Sequence, residues 1–331
     1  MNYSQPNILS DPHLHLEDFM LVRSRRFVAV ASIVAASALM LSACGSDSGG
    51  SGSGSGSKSN SSQIDAKKDP TPDLKVDDAA AALVPAQYKS KGTLVVGSDT
   101  TYPPNEYIDA DGKTIVGMDV DMGNAIGKKL GLKVEFQTAT FDTLLAALGS
   151  KYDIGMSSFT DNAEREKIVD FVTYFNAGTA WVAKKGAKID IDNMCGKKVS
   201  VQTGTTQEVD IDARSKKCTD EGKDAISIQK NGDQGIVTTN VVSGKSAAML
   251  ADLPVILDAI SKTDGQLVQV GKMYDAAPYG VAVPKSGGTL KEAIQAAIDS
   301  MIKDGSYKKI LVKWGADVGA VDKAQINAAG A

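Results

Sequence analysis

The chain has 331 residues, 36 Lys plus Arg against 40 Asp plus Glu, two His and three Cys. The net charge of −4 and the lack of a basic run in the C-terminal two thirds exclude a nucleic-acid surface. Both histidines, His13 and His15, lie near the N-terminus. The body of the chain therefore lacks a histidine for acid/base catalysis or a Ser-His-Asp triad, and no residue spacing predicts a metal site or a cofactor.

Arg23, Arg25 and Arg26 precede an uncharged run, Phe27 to Ala43, that ends in Leu41-Ser42-Ala43-Cys44. This is the layout of an export signal, and the run is short for a helix crossing ~30 Å of hydrocarbon. Leu-Ser-Ala-Cys resembles the bacterial lipobox, which predicts cleavage before Cys44 and lipid on its thiol. Residues 1–43 are thus expected to be a signal peptide. Met20 makes a better start than Met1, and Ser24-Arg25-Arg26 hints at twin-arginine export. Two acyl chains suffice for stable anchoring at the outer face of the cell membrane.

Gly45 to Asn60 is almost wholly Ser and Gly, and polar residues with prolines continue to about Val76. Residues 44–90 are expected to be a lipidated cysteine with a disordered tether, because such a composition buries too little apolar surface to fold. Residues 91–331 are expected to form the folded body. With Cys44 acylated, Cys195 and Cys218 remain as a pair in an oxidising compartment, which predicts a disulfide.

In the body, strand Leu94–Gly97 leads to a helix carrying Met118, Met122, Ile126 and Leu130, and then to strand Lys133–Gln137. A helix from Asp142 and strand Tyr152–Met156 complete a β-α-β-α-β order, which implies a parallel sheet. Ligands of such sheets bind at the carboxyl ends of the strands, here Ser98–Tyr102, Thr138–Phe141 and Ser157–Thr160. A second α/β unit follows: strand Lys198–Gln202, a helix from Gln207, strand Ala247–Leu250 and a helix around Val255–Ile260. Strand Tyr279–Pro284 and the amphipathic segments Leu290–Lys303 and Tyr307–Trp314 end the series.

Gly117-Met118-Asp119-Val120-Asp121, Thr160 to Arg165 with Val169-Asp170-Phe171, Gly204-Thr205-Thr206-Gln207-Glu208, and Asp304-Gly305-Ser306-Tyr307 through Trp314 stand in this order. From about Lys91 to Gly315 the set resembles the polar amino-acid family of bacterial solute-binding proteins, which feed ABC importers. The resemblance implies a type II periplasmic-binding fold of two α/β lobes joined by a two-stranded hinge. Lobe 1 would span about 92–180 and 280–316, and lobe 2 about 183–275. It also implies a monomer whose partners are a free amino acid, an ABC permease and its ATPase, with no enzymatic activity.

The same resemblance implies site residues. Arg165 matches the cation that grips the ligand carboxylate, for which a guanidinium is suited; the alternative is a surface ion pair with Glu164 or Glu166. Thr160 and Ser158 match backbone and hydroxyl contacts to the ligand's ends, and Thr205 and Thr206 match anion donors at a helix N-terminus, with an ordinary N-cap and turn as the alternative. Asp252 matches the acid that pairs with the ammonium, with an ordinary helix cap as its alternative. Tyr102 and Phe141 match the aromatic pair around the ligand side chain, with simple core packing as the alternative, above all for Phe141, and Asp99 and Gln202 match the side-chain-selecting positions. Asn105 and Asn162-Ala163 depart from the family pattern. Two rival functions remain: a cyclohexadienyl-dehydratase-like enzyme on this fold, and a sensor that reports ligand to a membrane partner.

Overall fold

A computed structural model describes residues 64–329. The expected signal peptide, Cys44 and the Ser/Gly run of the tether lie outside the described residues. Among the described residues, no helix is long and apolar enough to cross a membrane.

The folded part begins earlier than the expected Lys91. Asp78–Ala82 (α1) and Ala86–Lys91 (α2) are helices, and Ala80, Val84 and Tyr88 are buried in the main core. Upstream of them, Lys313 donates to the Ala66 and Lys68 carbonyls at 2.9 and 2.8 Å, and Lys128 to the Thr71 carbonyl at 2.8 Å. A polar stretch is thus strapped to the body by lysines that lie far from it in sequence.

The elements continue as β1 (Thr93–Ser98), β2 (Thr101–Tyr102), β3 (Glu106–Ile108), β4 (Ile115–Val116), α3 (Met118–Leu130), β5 (Lys133–Thr138) and α4 (Phe141–Leu144). Then come β6 (Ile154–Gly155), α5 (Ala163–Glu166), β7 (Val169–Lys184), β8 (Lys198–Gln202), α6 (Thr206–Asp220), β9 (Ser227–Asn231) and α7 (Gln234–Val242). The series closes with β10 (Ala248–Asp252), α8 (Leu253–Lys262), β11 (Leu267–Pro284), α9 (Leu290–Asp304) and α10 (Ser306–Lys313).

Strand order in the main sheet is β5-β1-β6-β11-β7-β10-β8-β9. The β5-β1-β6 pairings are parallel, as are β10-β8 and β8-β9. Between these groups run β7 and β11, two long antiparallel strands whose register shifts between Val270 and Tyr274, Tyr274 and Ala277, and Tyr279 and Gly280. Their ends serve different partners. β6 pairs with β11 at Ala282, whereas β10 pairs with β7 from Thr179 to Ala183. This is a fold of two α/β lobes, a first on β1, β5 and β6 and a second on β8, β9 and β10, linked by two strands.

The first lobe's core packs α3, α9 and α10 on its sheet, with Leu94, Val96, Met118, Met122 and Ile298 fully or almost fully buried. The second lobe has one cluster around Met249 and Ile256 and another around Trp181, Val199 and Ile211. Cys195 and Cys218 are disulfide-bonded with Cα atoms 5.6 Å apart, tying α6 to the segment before β8.

Candidate functional site

The carboxyl ends of β1, β6, β8 and β10 converge on one cavity. All ten residues named from the sequence line it: Asp99, Tyr102, Phe141, Ser158, Thr160, Arg165, Gln202, Thr205, Thr206 and Asp252. Ser157 and Gln207 join them. Neither was singled out from sequence, although Ser157 follows a strand end and Gln207 follows the Thr205-Thr206 pair, positions that could have flagged both.

Arg165 stands on α5, whose N-cap is Asn162: its Oδ1 accepts the Arg165 backbone N–H at 2.9 Å. The guanidinium is half-buried. It donates to the Thr160 carbonyl at 2.9 Å and, from the other lobe, to the Gly204 carbonyl at 3.1 Å. It also lies 5.4 Å from the Phe141 ring centre and 5.8 Å from that of Phe159, within cation–π range. Burial pulls its pKa down to about 10, while the charge of Asp252 holds it up. The alternative surface ion pair is not what forms: Glu164 pairs with Lys167, and Glu166 accepts the Ala329 N–H at 3.0 Å.

Gly204 sits in the left-handed region at φ +82°, and a Cβ there would lie 2.8 Å from the Asp142 Cβ. Glycine therefore permits both the turn into α6 and the close approach of the lobes at the rim. Thr205 caps α6, accepting the Glu208 N–H at 3.1 Å and donating to the Gln202 carbonyl at 2.7 Å. This helix start, Thr205 to Gln207, lines the cavity beside Arg165, and a helix N-terminus favours an anion.

Asp252 ends β10 at the N-cap position of α8, yet its side chain makes no capping bond. It accepts instead from the Tyr102 hydroxyl at 2.9 Å and the Gln207 amide at 2.9 Å. Burial pushes its pKa up to about 6, against the hydrogen bonds from Tyr102 and Gln207 and the charge of Arg165. Asp99 accepts from the Thr101 N–H and hydroxyl at 3.0 and 2.6 Å, the Phe141 N–H at 2.9 Å and the Gln202 amide at 3.1 Å. Burial raises its pKa as well. Phe141 stacks on Phe159 with ring centres 4.8 Å apart. It has both a packing role and a place in the cavity wall.

Ser158 has φ +52°, a conformation uncommon for a residue with a Cβ. Asn105, one of the departures from the family pattern, donates to its hydroxyl at 2.8 Å. Lobe-to-lobe contacts thus include Tyr102 with Asp252, Asp99 with Gln202 and Arg165 with Gly204.

Residues 94–317 match the family described as bacterial extracellular solute-binding proteins, family 3. The chain is 35% identical over 263 residues to the arginine-binding protein ArgT of Corynebacterium glutamicum, covering 78% of this chain and 84% of that one. It is 32% identical over 236 residues to the L-cystine-binding protein TcyJ of Escherichia coli, covering 70% and 85%. Among solved structures it resembles an ancestral arginine-binding protein bound to arginine, at 38% identity and TM-score 0.62, covering 67% of this chain and 98% of that one. These relatives are binding proteins, not enzymes, and they support an amino-acid substrate-binding role for an ABC importer. The chain belongs to the bacterial extracellular solute-binding proteins of family 3.

Proposed function

We propose that this protein is a lipoprotein, anchored through Cys44 at the outer face of the cell membrane, that captures a cationic α-amino acid between its lobes and delivers it to an ABC permease. L-Arginine is the ligand best suited to it. The observation that carries this reading is the charge balance of the cavity, whose lining holds one cation, Arg165, and two acids, Asp99 and Asp252. A ligand with one carboxylate, one ammonium and a cationic side chain neutralises all three.

In this reading Arg165, Thr160 and the N–H groups of Thr205 and Thr206 hold the α-carboxylate. Asp252 and the Ser158 carbonyl hold the ammonium. The side chain runs between Tyr102 and Phe141 toward Asp99 and Gln202. The named ligands of ArgT and of the ancestral protein support the choice of arginine. Lobe 1 comprises about 92–180 and 280–316, extended by the N-terminal strap, and lobe 2 about 183–275. The receptor acts as a monomer. Because Arg165 and Asp252 belong to different lobes, a ligand bridging them favours the closed arrangement, and such differential contact is what shifts an equilibrium.

A thermal-shift screen of the common amino acids on the folded body tests the ligand. L-Arginine at about 100 times its Kd should stabilise by ~2.7 kcal/mol. A larger shift with L-glutamate, or no shift with any amino acid, ends this reading. Anchoring is tested by labelling cells with a radioactive fatty acid: Cys44→Ala should lose the label and membrane retention while the purified protein still binds ligand.

A further inference from the structure

Directly behind the Ser157–Ser158 turn lie two carboxyl groups that the proposed function does not use. Glu106 on β3 and Asp119 in the first turn of α3 are both fully buried. The Ser158 hydroxyl lies 3.2 Å from Glu106 Oε2 and 3.5 Å from Asp119 Oδ2, which sets the two carboxyls side by side. Among the described residues, every donor to them is neutral. The Ser157 hydroxyl donates to Glu106 Oε1 at 3.0 Å and the Ser158 hydroxyl to Glu106 Oε2 at 3.2 Å. The Ser158 N–H and the Tyr174 hydroxyl donate to Asp119 Oδ2 at 2.8 and 2.7 Å. Asp119 Oδ1 has no such partner.

Two ionised carboxylates cannot persist side by side in a buried site without a cation, so one must hold a proton. The start of α3 favours charge on Asp119, because a helix N-terminus stabilises an anion. A protonated Glu106 then has a proton to donate to the Asp119 carboxylate. The packing here is tight: a Cβ on Gly117, at φ +141°, would lie 2.0 Å from the Asn105 carbonyl oxygen.

We propose that Glu106 and Asp119 share a single proton and form a positioning pair that holds the Ser157–Ser158 turn against the ligand. The pair fixes Ser158 in its left-handed conformation through both its N–H and its hydroxyl. It also reaches the side-chain end of the cavity, since the Ser157 hydroxyl accepts the Asp99 N–H at 2.9 Å. One proton thus connects the acceptor for the ligand ammonium with the backbone of the side-chain-selecting acid.

The titratable groups facing the pair are Tyr174 from β7, Tyr102 from β2 and Asp99 after β1. All of them are neutral or negative, so none brings a positive charge to balance a second ionised carboxylate. Burial and mutual repulsion raise Glu106 well above the usual carboxylate range. Its contribution to stability is therefore present at acid pH and lost as pH rises through the folded value.

The proposal rests on reading the cavity as an amino-acid site, and L-arginine is the probe. Glu106→Ala should weaken L-arginine binding on the order of tenfold at pH 7, as expected when a hydrogen-bonded acceptor pair is removed. Glu106→Gln, which stays neutral and hydrogen-bonds at any pH, should recover most of that loss. Wild-type affinity should fall between pH 7 and 9.5 more steeply than that of Glu106→Gln, a comparison that cancels titration of the ligand. Wild-type affinity in Glu106→Ala, or identical pH profiles for wild type and Glu106→Gln, overturns the proposal.

Two measurements without ligand separate it from the ligand assignment. Infrared spectra at pH 7 should contain a protonated-carboxyl stretch that Glu106→Gln lacks, and wild-type Tm should drop more than that of Glu106→Gln on going to pH 9.5. If the carboxyl band is absent the shared proton is wrong, whatever binds. If it is present while L-arginine fails to bind, the ligand is wrong and the pair stands.

Discussion

Arg165 and Asp252 carry opposite charges into one cavity, but the chain holds them differently. Arg165 is half-buried, borne on a four-residue helix, and donates to two backbone carbonyls, one from each lobe. Asp252 is buried at the end of a fully buried strand and is held by the Tyr102 hydroxyl and the Gln207 amide. Burial shifts both groups, but the cation, lowered to about 10, stays charged at neutral pH, whereas the acid is raised to about 6. Carboxylate capture should therefore be insensitive to pH. Ammonium capture should be gated by an acid close to its titration point.

The largest expected effect lies at the cation. Arg165→Ala should weaken L-arginine binding by two to three orders of magnitude in calorimetry, since truncating one partner of a charged, hydrogen-bonded pair costs about 2–5 kcal/mol. A loss of less than tenfold would mean that the α6 N-terminus alone holds the carboxylate.

Asp252→Asn comes next. Affinity should fall roughly ten- to a hundredfold, because a charge-assisted bond becomes a neutral one. Stability should rise, because the folded protein penalises this charge: a carboxyl raised to about 6 stabilises below its unfolded value of 3.8 and loses that contribution as pH climbs through 6. At pH 8 the variant should gain on the order of 1–3 kcal/mol in denaturant unfolding. Ligand binding has the opposite sign. Wild-type affinity should drop as pH falls below about 6 and Asp252 takes up its proton. A flat profile down to pH 5 would place the ammonium elsewhere.

Asp99→Asn should cost less in overall affinity and more in selectivity. Its oxygens already accept four protein hydrogen bonds, which asparagine satisfies only in part. The lost charge should narrow the preference for L-arginine over L-glutamine by about tenfold in competition binding, a loss of ~1.4 kcal/mol. An unchanged ratio would remove Asp99 from side-chain selection.

The sequence revealed the parallel strands of each lobe because β1, β5, β8 and β10 are short runs closed by glycine, threonine or aspartate. The hinge was harder to see. Val169–Lys184 is buried along nearly its whole length, so no alternation betrays it, and the first half of β11 is largely exposed with bulges that break any period. The two- and three-residue strands β2, β3 and β4 are too short to carry a pattern. Residues 65–91 resemble a tether by composition, and their order comes from distant lysines and a few apolar anchors such as Tyr88. The cavity-lining residues were legible because strand ends and a helix start gather polar groups at known places. The Glu106–Asp119 pair was not, since only the fold brings β3 under the first turn of α3.

The smallest expected effect on binding belongs to the disulfide. Cys218 lies near the far end of α6 from Thr205 and Thr206, about 20 Å along a helix that rises ~1.5 Å per residue. Cys195→Ser with Cys218→Ser should lower stability by roughly 3 kcal/mol in the chain-entropy account of a loop this size. The Kd for L-arginine should stay within twofold, because Thr205 caps its own helix and the Gly204 turn is set by glycine geometry, independently of the far end. Should affinity fall with stability, the anion end would depend on the whole of α6 and not on its first turn. The contrast between a locally built cation site and an acid site set in the core would then no longer hold.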